Sequence, residues 1–254
     1  MKTEIKITVA LPLYNMGKIV ELALHGLANQ ETIYPWELII CEENLGDYYG
    51  LKKFMSWEKD LKSNGCVKIH YIKLKEWVPL GQKWKILAQA ASDTTCFILQ
   101  AGDCLPHSKR LQETCDAFEK INCNYYDEQQ GYFYSYALNK TIIFNPTELY
   151  KHPCRLNMAW STQLIKTLPD NTMKRNVDGF LCSELSKKEK IIKFRNNSFH
   201  NDGVDTDGYN NISRRSRFFM EKSQIFQSTN IDLINAIPIL NKFKGLELTK
   251  NKIK

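Results

Sequence analysis

Two short apolar runs of this chain stop on carboxylates. The run Trp36-Glu-Leu-Ile-Ile-Cys41 leads into Glu42 and Glu43, and Cys96-Phe-Ile-Leu99 leads into Gln100-Ala101-Gly102-Asp103. A third run ends Leu11-Pro12-Leu13-Tyr14-Asn15, on an aromatic ring and an amide. If these runs are strands of an open parallel sheet, their carboxyl ends are where ligand binds, because loops and helix N-termini converge there. No G-x-G-x-x-G follows the first run and no G-x-x-x-x-G-K-[ST] occurs anywhere, so the phosphate cradles of dinucleotide dehydrogenases and P-loop NTPases are both missing. A phosphate bound at this edge needs other neutralisation, which a divalent cation on one or two carboxylates, helped by a lysine, supplies.

The elements that must position these residues follow from pattern. Strand-like runs cover 5–13, 36–41, 67–72 and 96–99, and helix-like stretches cover 19–28, 51–61 and 83–91 between them. This βαβαβαβ order argues for a mainly parallel sheet with helices on both faces. A helix over 108–121, with Leu111, Cys115 and Phe118 at helical spacing and Ser108 as cap, follows the fourth strand. A hairpin over 132–138 and 141–144 turns at Asn139-Lys140. Beyond it the pattern weakens: 162–168 reads as strand or short helix, 178–190 as helix, and the Gly-, Asn- and Asp-rich stretch 195–217 as loop.

Composition sets the outer bounds. The chain has 254 residues, 43% of them hydrophobic and 25% charged, and a net charge of +7, as expected of a globular protein and unlike collagen-like or wholly disordered chains. No apolar stretch approaches the roughly 18 residues that span a bilayer, and the first residues lack the apolar core of a secretory signal, so a cytoplasmic location is expected. Eight scattered cysteines form no C-x-x-C, which argues for free thiols. The run Asp202 to Gly208 fails as a calcium loop: with Gly208 sixth, position one is Gly203 and position twelve is Arg214. It reads instead as a lid that closes over ligand. Arg214, Arg215 and Arg217 read as a solvated basic face.

The stretch Ile7-Thr-Val-Ala-Leu-Pro-Leu-Tyr-Asn15, then Leu27-Ala-Asn-Gln30, then Trp36 to Glu43 resembles the opening of family 2 glycosyltransferases. Further on, Gly81-Gln-Lys83, Ala88 to Ser92 and Phe97 to Asp103 resemble that family's G-x-x-x-A-R-N segment and its D-x-D strand end. Asn157-Met-Ala-Trp160 and Val177-Asp178-Gly-Phe-Leu181 resemble its acceptor-side segment and catalytic-base motif, and His200 stands where many members carry a late histidine. The D-x-D is reduced to a single carboxylate, the paired aspartates of the second strand are Glu42 and Glu43, and the A-R-N element is absent.

The resemblance implies a GT-A fold: one α/β domain over residues 1–220, with a helical, basic tail over 221–254. It implies an inverting transferase in which Asp178 is the general base, Asp103 and His200 hold Mn2+ or Mg2+, and Pro12, Tyr14, Glu42, Lys83, Gln100, Gly102 and Trp160 bind a nucleotide-sugar, Trp160 by stacking on the sugar. Its partners would be that donor and a glycan, lipid-linked or protein acceptor, with no nucleic acid. The lysine-studded tail either packs on the domain or lies peripherally on an anionic membrane surface, and Pro238, which interrupts the apolar stripe, favours packing. Loss of D-x-D carboxylates equally fits a catalytically impaired sugar-nucleotide or glycan-binding module. A nucleic-acid binder using the +7 charge is the weakest alternative, since no recognised motif accompanies it.

Overall fold

The computed structural model describes residues 4–43, 45–128, 131–135, 140–144, 158–170, 177–196, 204–206 and 226–228, together with Ile239 and Lys242. Its first half follows the expected alternation: β1 (Ile7–Leu13), α1 (Glu21–Leu27), β2 (Trp36–Glu43), α2 (Leu51–Met55), α3 (Glu58–Ser63), β3 (Cys66–Leu74), α4 (Leu80–Ala90), β4 (Cys96–Leu99), β5 (Cys104–Leu105) and α5 (Arg110–Ile121). The second half adds β6 (Tyr125–Glu128), β7 (Gly131–Ser135), β8 (Lys140–Phe144), β9 (Ala159–Ser161), α6 (Thr162–Ile165), α7 (Val177–Lys188), β10 (Lys193–Asn196), β11 (Val204–Thr206) and β12 (Phe226–Ser228).

Seven strands form the main sheet in the order β10-β6-β9-β4-β1-β2-β3. β1 pairs in parallel with both β2 and β4, β2 with β3, and β6 with β10, whereas β9 runs antiparallel between β4 and β6. Period-two alternation divides the core. Ile7, Val9, Leu11 and Leu13 of β1 and Trp36, Leu38 and Ile40 of β2 join one buried cluster with Leu22, Phe54, Leu61, Leu111 and Phe118 of the helices. Ala10, Ile39, Cys41, Phe97 and Leu99 face the other way, onto Trp84 and Leu87 of α4, Leu164 of α6 and Leu181 and Leu185 of α7. The near-continuous apolar strands are therefore a consequence of burial on both faces.

Several sequence expectations shift. The single helix expected over 51–61 is two, interrupted at Ser56 and Trp57, whose indole donates to Tyr49 Oη at 3.1 Å. Helix α4 begins at Leu80, directly after Pro79, rather than at Lys83. The residue that directly precedes α5 is Lys109, which makes no side-chain cap; the Ser108 carbonyl accepts from Glu31 N at 2.7 Å, and the helix closes on Asn122 in the left-handed region. Strands β6, β9 and β10 mix polar or charged residues into three or four positions, unlike the equally short but wholly apolar β4, and so are not legible in the chain alone.

A second sheet, ordered β12-β8-β7-β11-β5, stands beside the ligand edge. β7 and β8 pair antiparallel as the expected hairpin; Asn139 at its turn lies outside the described residues. Part of the stretch read as loop is strand: β11 pairs antiparallel with β5, Asp205 opposite Cys104, and parallel with β7. Residues 226–228, within the tail expected to be helical, add strand β12 to β8. Further on, Ile239 is buried in the first core cluster, so this part of the tail packs on the domain. The rest of 221–254 lies outside the described residues, apart from exposed Lys242. None of the described helices is long and apolar enough to cross a membrane.

Candidate active site

The carboxyl ends of β4, β1, β2 and β3 stand side by side in that order, so the chain after each strand emerges along one edge. From β1 come Pro12 and Tyr14, both partly exposed. Asn15 follows in the left-handed region (φ 51°), and its Oδ1 accepts from Asp47 N at 2.7 Å. Gly17, also left-handed (φ 48°), donates its N–H to the Asp47 carbonyl at 2.7 Å, and a Cβ at this position would collide with the Asp47 carboxylate. The turn carrying Tyr14 is thus clasped to the loop that follows β2.

Glu42 and Glu43 are consecutive on a strand and so face opposite sides of the sheet. Both are fully buried. Glu42 accepts from Tyr49 N at 2.8 Å, Gly50 N at 2.9 Å and Tyr71 Oη at 2.8 Å, which folds the 45–50 loop back over the first core. Burial, and then the hydrogen bond to Glu42, push the Tyr71 phenol well above its usual range. Glu43 accepts from Val78 N at 3.2 Å and pairs with Lys83 at 2.5 Å. Lys83 also donates to the Leu13 carbonyl at 2.7 Å and lies 5.3 Å from the centre of the Tyr14 ring. Only 2% of Lys83 is exposed, and burial lowers its pKa against the pull of Glu43.

Beyond β4, Gln100 N bonds the Ala10 carbonyl at 2.9 Å. The Gln100 side chain donates to the carbonyls of Ala101 (2.8 Å) and Cys104 (3.0 Å) and accepts from Arg110, so it braces the turn from within. Gly102 is buried against Leu13, where a Cβ would lie 2.6 Å from Leu13 Cδ2, so the turn can press on the end of β1. Asp103, partly exposed, is the carboxylate this turn leaves at the surface of the edge. Behind it Arg110 is 1% exposed and also donates to the Leu99 carbonyl at 3.0 Å; burial lowers its pKa while Glu128 opposes that shift.

The end of β6 brings a second acidic pair that sequence reasoning missed. Asp127 and Glu128 are buried; Glu128 lies 3.1 Å from His107 Nε2, and Tyr125 Oη donates to Asp127 at 3.2 Å. The signal was present, since Tyr125-Tyr126-Asp127-Glu128 is again a strand that stops on carboxylates, but two tyrosines carry less pattern than the four apolar residues of β4.

Asp178 is the second residue of α7. Just beyond the other end of that helix, the Lys190 carbonyl accepts from Asn124 Nδ2 at 2.9 Å, beside the start of β6. Because β9 is antiparallel to both β4 and β6, β6 starts at the edge opposite the ligand edge, and the chain leaving α7 returns to that opposite edge. The Asp178 side chain and all of His200 lie outside the described residues.

Of the residues expected to touch a nucleotide-sugar, Pro12 and Tyr14 present surface at this edge, as does the expected metal ligand Asp103, whereas Glu42, Lys83, Gln100 and Gly102 form its buried frame. Lys83 does not extend toward a diphosphate, because its ammonium is held between Glu43 and Leu13. Trp160 offers no stacking face. It is fully buried in β9, 4.5 Å from the Tyr125 ring centre, as a wall of the second core. A divalent cation here has one partly exposed carboxylate, Asp103, and among the described residues no group of three His, Cys, Asp or Glu side chains could hold a metal. One carboxylate plus phosphate oxygens is a donor set that Mg2+ accepts, so these residues fit a metal that arrives with its substrate.

No protein-family model matches the chain, and no curated protein does. Solved structures do. Staphylococcus aureus TarS aligns over 98% of this chain at TM-score 0.61 and 13% identity, and this chain spans 46% of that protein, about half its length. The mannosyltransferase PcManGT from Pyrobaculum calidifontis, solved with GDP-Man and Mn2+, aligns over 96% at TM-score 0.57 and 11% identity and is covered to 70%. Glucosyl-3-phosphoglycerate synthase from Mycobacterium tuberculosis, solved with UDP, aligns over 78% at TM-score 0.50 and 15% identity and is covered to 72%. The fold is that of the GT-A glycosyltransferases.

Proposed function

We propose that this protein is a glycosyltransferase that moves a sugar from a nucleotide-diphosphate donor to an acceptor hydroxyl with inversion. The reading is supported by Tyr14 and Asp103, which follow the neighbouring parallel strands β1 and β4 at the carboxyl edge of a sheet whose structural relatives include proteins crystallised with UDP, UDP-GlcNAc and GDP-Man. Fold alone is a weak warrant, so the residues bear the weight.

Pro12 and Tyr14 line the donor pocket, and the clasp between Asn15, Gly17 and Asp47 holds them in place. Asp103 faces the diphosphate. A Mn2+ or Mg2+ ion bound there, with His200 as a further ligand, supplies charge neutralisation for the departing phosphate. Residues 204–205 of β11 pair with β5, the strand directly after Asp103. Asp178 takes the proton from the acceptor hydroxyl as it attacks the anomeric carbon opposite the leaving diphosphate. A single displacement needs one base, so no second catalytic carboxylate is required. We assign the catalytic unit to residues 1–220, with 221–254 as an accessory tail that packs on it, in a cytoplasmic protein acting on a glycan, lipid-linked or protein acceptor.

A second reading, a sugar-nucleotide-binding module without turnover, is favoured by one observation: Gln100, in the segment where the D-x-D is degraded, is committed inward to Arg110. Thermal shift with UDP-, GDP-, dTDP- and CMP-sugars, with and without Mn2+, followed by transfer assays, separates the two, because ligand binding raises apparent stability by mass action. Metal-dependent stabilisation with turnover establishes the transferase. Stabilisation without turnover on any acceptor establishes the module, and no stabilisation by any donor overturns both.

A further inference from the structure

Asp103 sits on a turn that is folded around a side chain. Gln100 Nε2 donates to the carbonyls of Ala101 (2.8 Å) and Cys104 (3.0 Å), so the two carbonyls on either side of Gly102 and Asp103 converge on one amide nitrogen. Gln100 Oε1 accepts from Arg110. Each half of the amide thus meets its complement; turned over, Nε2 would face a cationic donor and Oε1 two carbonyl oxygens. Arg110 fixes that orientation.

Both side-chain hydrogen bonds that Arg110 makes among the described residues go to the root of this turn, one to Gln100 and one, at 3.0 Å, to the carbonyl of Leu99, the last residue of β4. A guanidinium only 1% exposed is costly to desolvate, and the bonds to the turn, with the charge of Glu128, offset that cost. Its mounting is firm. Arg110 opens α5, and Gln30 fixes the start of that helix by accepting from Leu111 N at 3.0 Å and donating to the His107 carbonyl at 2.8 Å. The arrangement also selects the residue type at position 100. A glutamate there could still meet Arg110, but its second oxygen would face the Ala101 and Cys104 carbonyls, acceptor against acceptor.

We propose that Arg110 is a positioning residue which, through Gln100, sets the place of the Asp103 carboxylate for a metal-bound diphosphate. Position 100 is then a brace and not a metal-ligand position. This rests on the nucleotide-sugar reading above.

Calorimetry of UDP and of GDP binding to the full chain, each with and without Mn2+, tests the assignment, with urea denaturation to establish that each variant is folded. Gln100→Glu is decisive because the alternatives differ in sign: a carboxylate added at a ligand position tightens Mn2+-dependent binding, whereas a carboxylate that opens the brace weakens it. The expected result is a weakening of about tenfold or more, the usual effect of disturbing a group that orients a metal ligand, confined to the Mn2+-dependent part of the affinity. The double variant Gln100→Met, Arg110→Met removes the guanidinium and its acceptor together, and is expected to lose no more than Arg110→Met alone, because the two residues act in series. Unchanged or tighter Mn2+-dependent binding in Gln100→Glu, an intact Mn2+ effect in the folded double variant, or a parent protein that binds nucleotide equally with and without Mn2+ overturns the assignment while the donor reading stands. Failure of the parent protein to bind any nucleotide overturns both.

Discussion

Lys83 Nζ lies 2.5 Å from Glu43 Oε2 and 2.7 Å from the Leu13 carbonyl oxygen, so one buried ammonium ties the ends of β1 and β2 to helix α4. Removing the cation alone leaves a buried carboxylate uncompensated. Lys83→Met is therefore expected to lower unfolding free energy by about 3–5 kcal/mol, read from urea denaturation. The double variant Lys83→Met, Glu43→Met should recover much of that loss. A single variant as stable as the parent would show that the pair does not hold the edge together.

The clasp under Tyr14 depends on a residue without a side chain. Gly17→Ala meets the Asp47 carboxylate and requires a left-handed alanine, a strain of about 1–3 kcal/mol. Its melting temperature should fall and its donor affinity should fall with it, because Tyr14 shifts. Unchanged donor affinity in a destabilised protein would mean that Tyr14 is positioned by other contacts.

Two carboxylates should separate by phenotype. Asp178→Asn is expected to cut turnover by about 10²–10⁴-fold, the usual worth of a general base, with donor binding preserved. Asp103→Asn is expected to weaken donor binding in Mn2+ while changing metal-free binding little. Normal turnover in Asp178→Asn would remove that residue from the mechanism.

At the opposite edge, Glu37 is buried yet accepts hydrogen bonds from Thr8 Oγ1, Ser92 N and Ser92 Oγ and pairs with Lys68. Burial pushes its pKa upward, but those bonds, Ser92 N foremost, outweigh it and hold the carboxyl below the usual range. A depressed folded pKa contributes stability that is complete above the unfolded value, near 4.3, and disappears as pH falls through the folded one. Glu37→Gln should cost about 2 kcal/mol at pH 7, and the gap between variant and parent should close progressively below about pH 4. A gap that stays constant with pH would show that the carboxylate's charge contributes nothing.

Local pattern determined the strands β1 to β4, the helices between them and the carboxyl edge where Tyr14, Glu42, Glu43 and Asp103 emerge, because a strand buried on both faces must be written as a continuous apolar run. It could not say which of those polar groups would be buried. Glu42 and Asp103 look alike in the chain, but only the folded arrangement gives Glu42 two backbone N–H groups and the Tyr71 hydroxyl, and leaves Asp103 partly exposed on its turn. Lys83 and Trp160 were read as ligand contacts and are frame and core for the same reason: a hydrogen-bond partner or packing neighbour 35 to 70 positions away is not visible in local sequence. The short strands β6 and β9, each with only two apolar or aromatic residues before a polar one, were likewise decided by pairing with distant segments, and with them the place of Asp127 and Glu128.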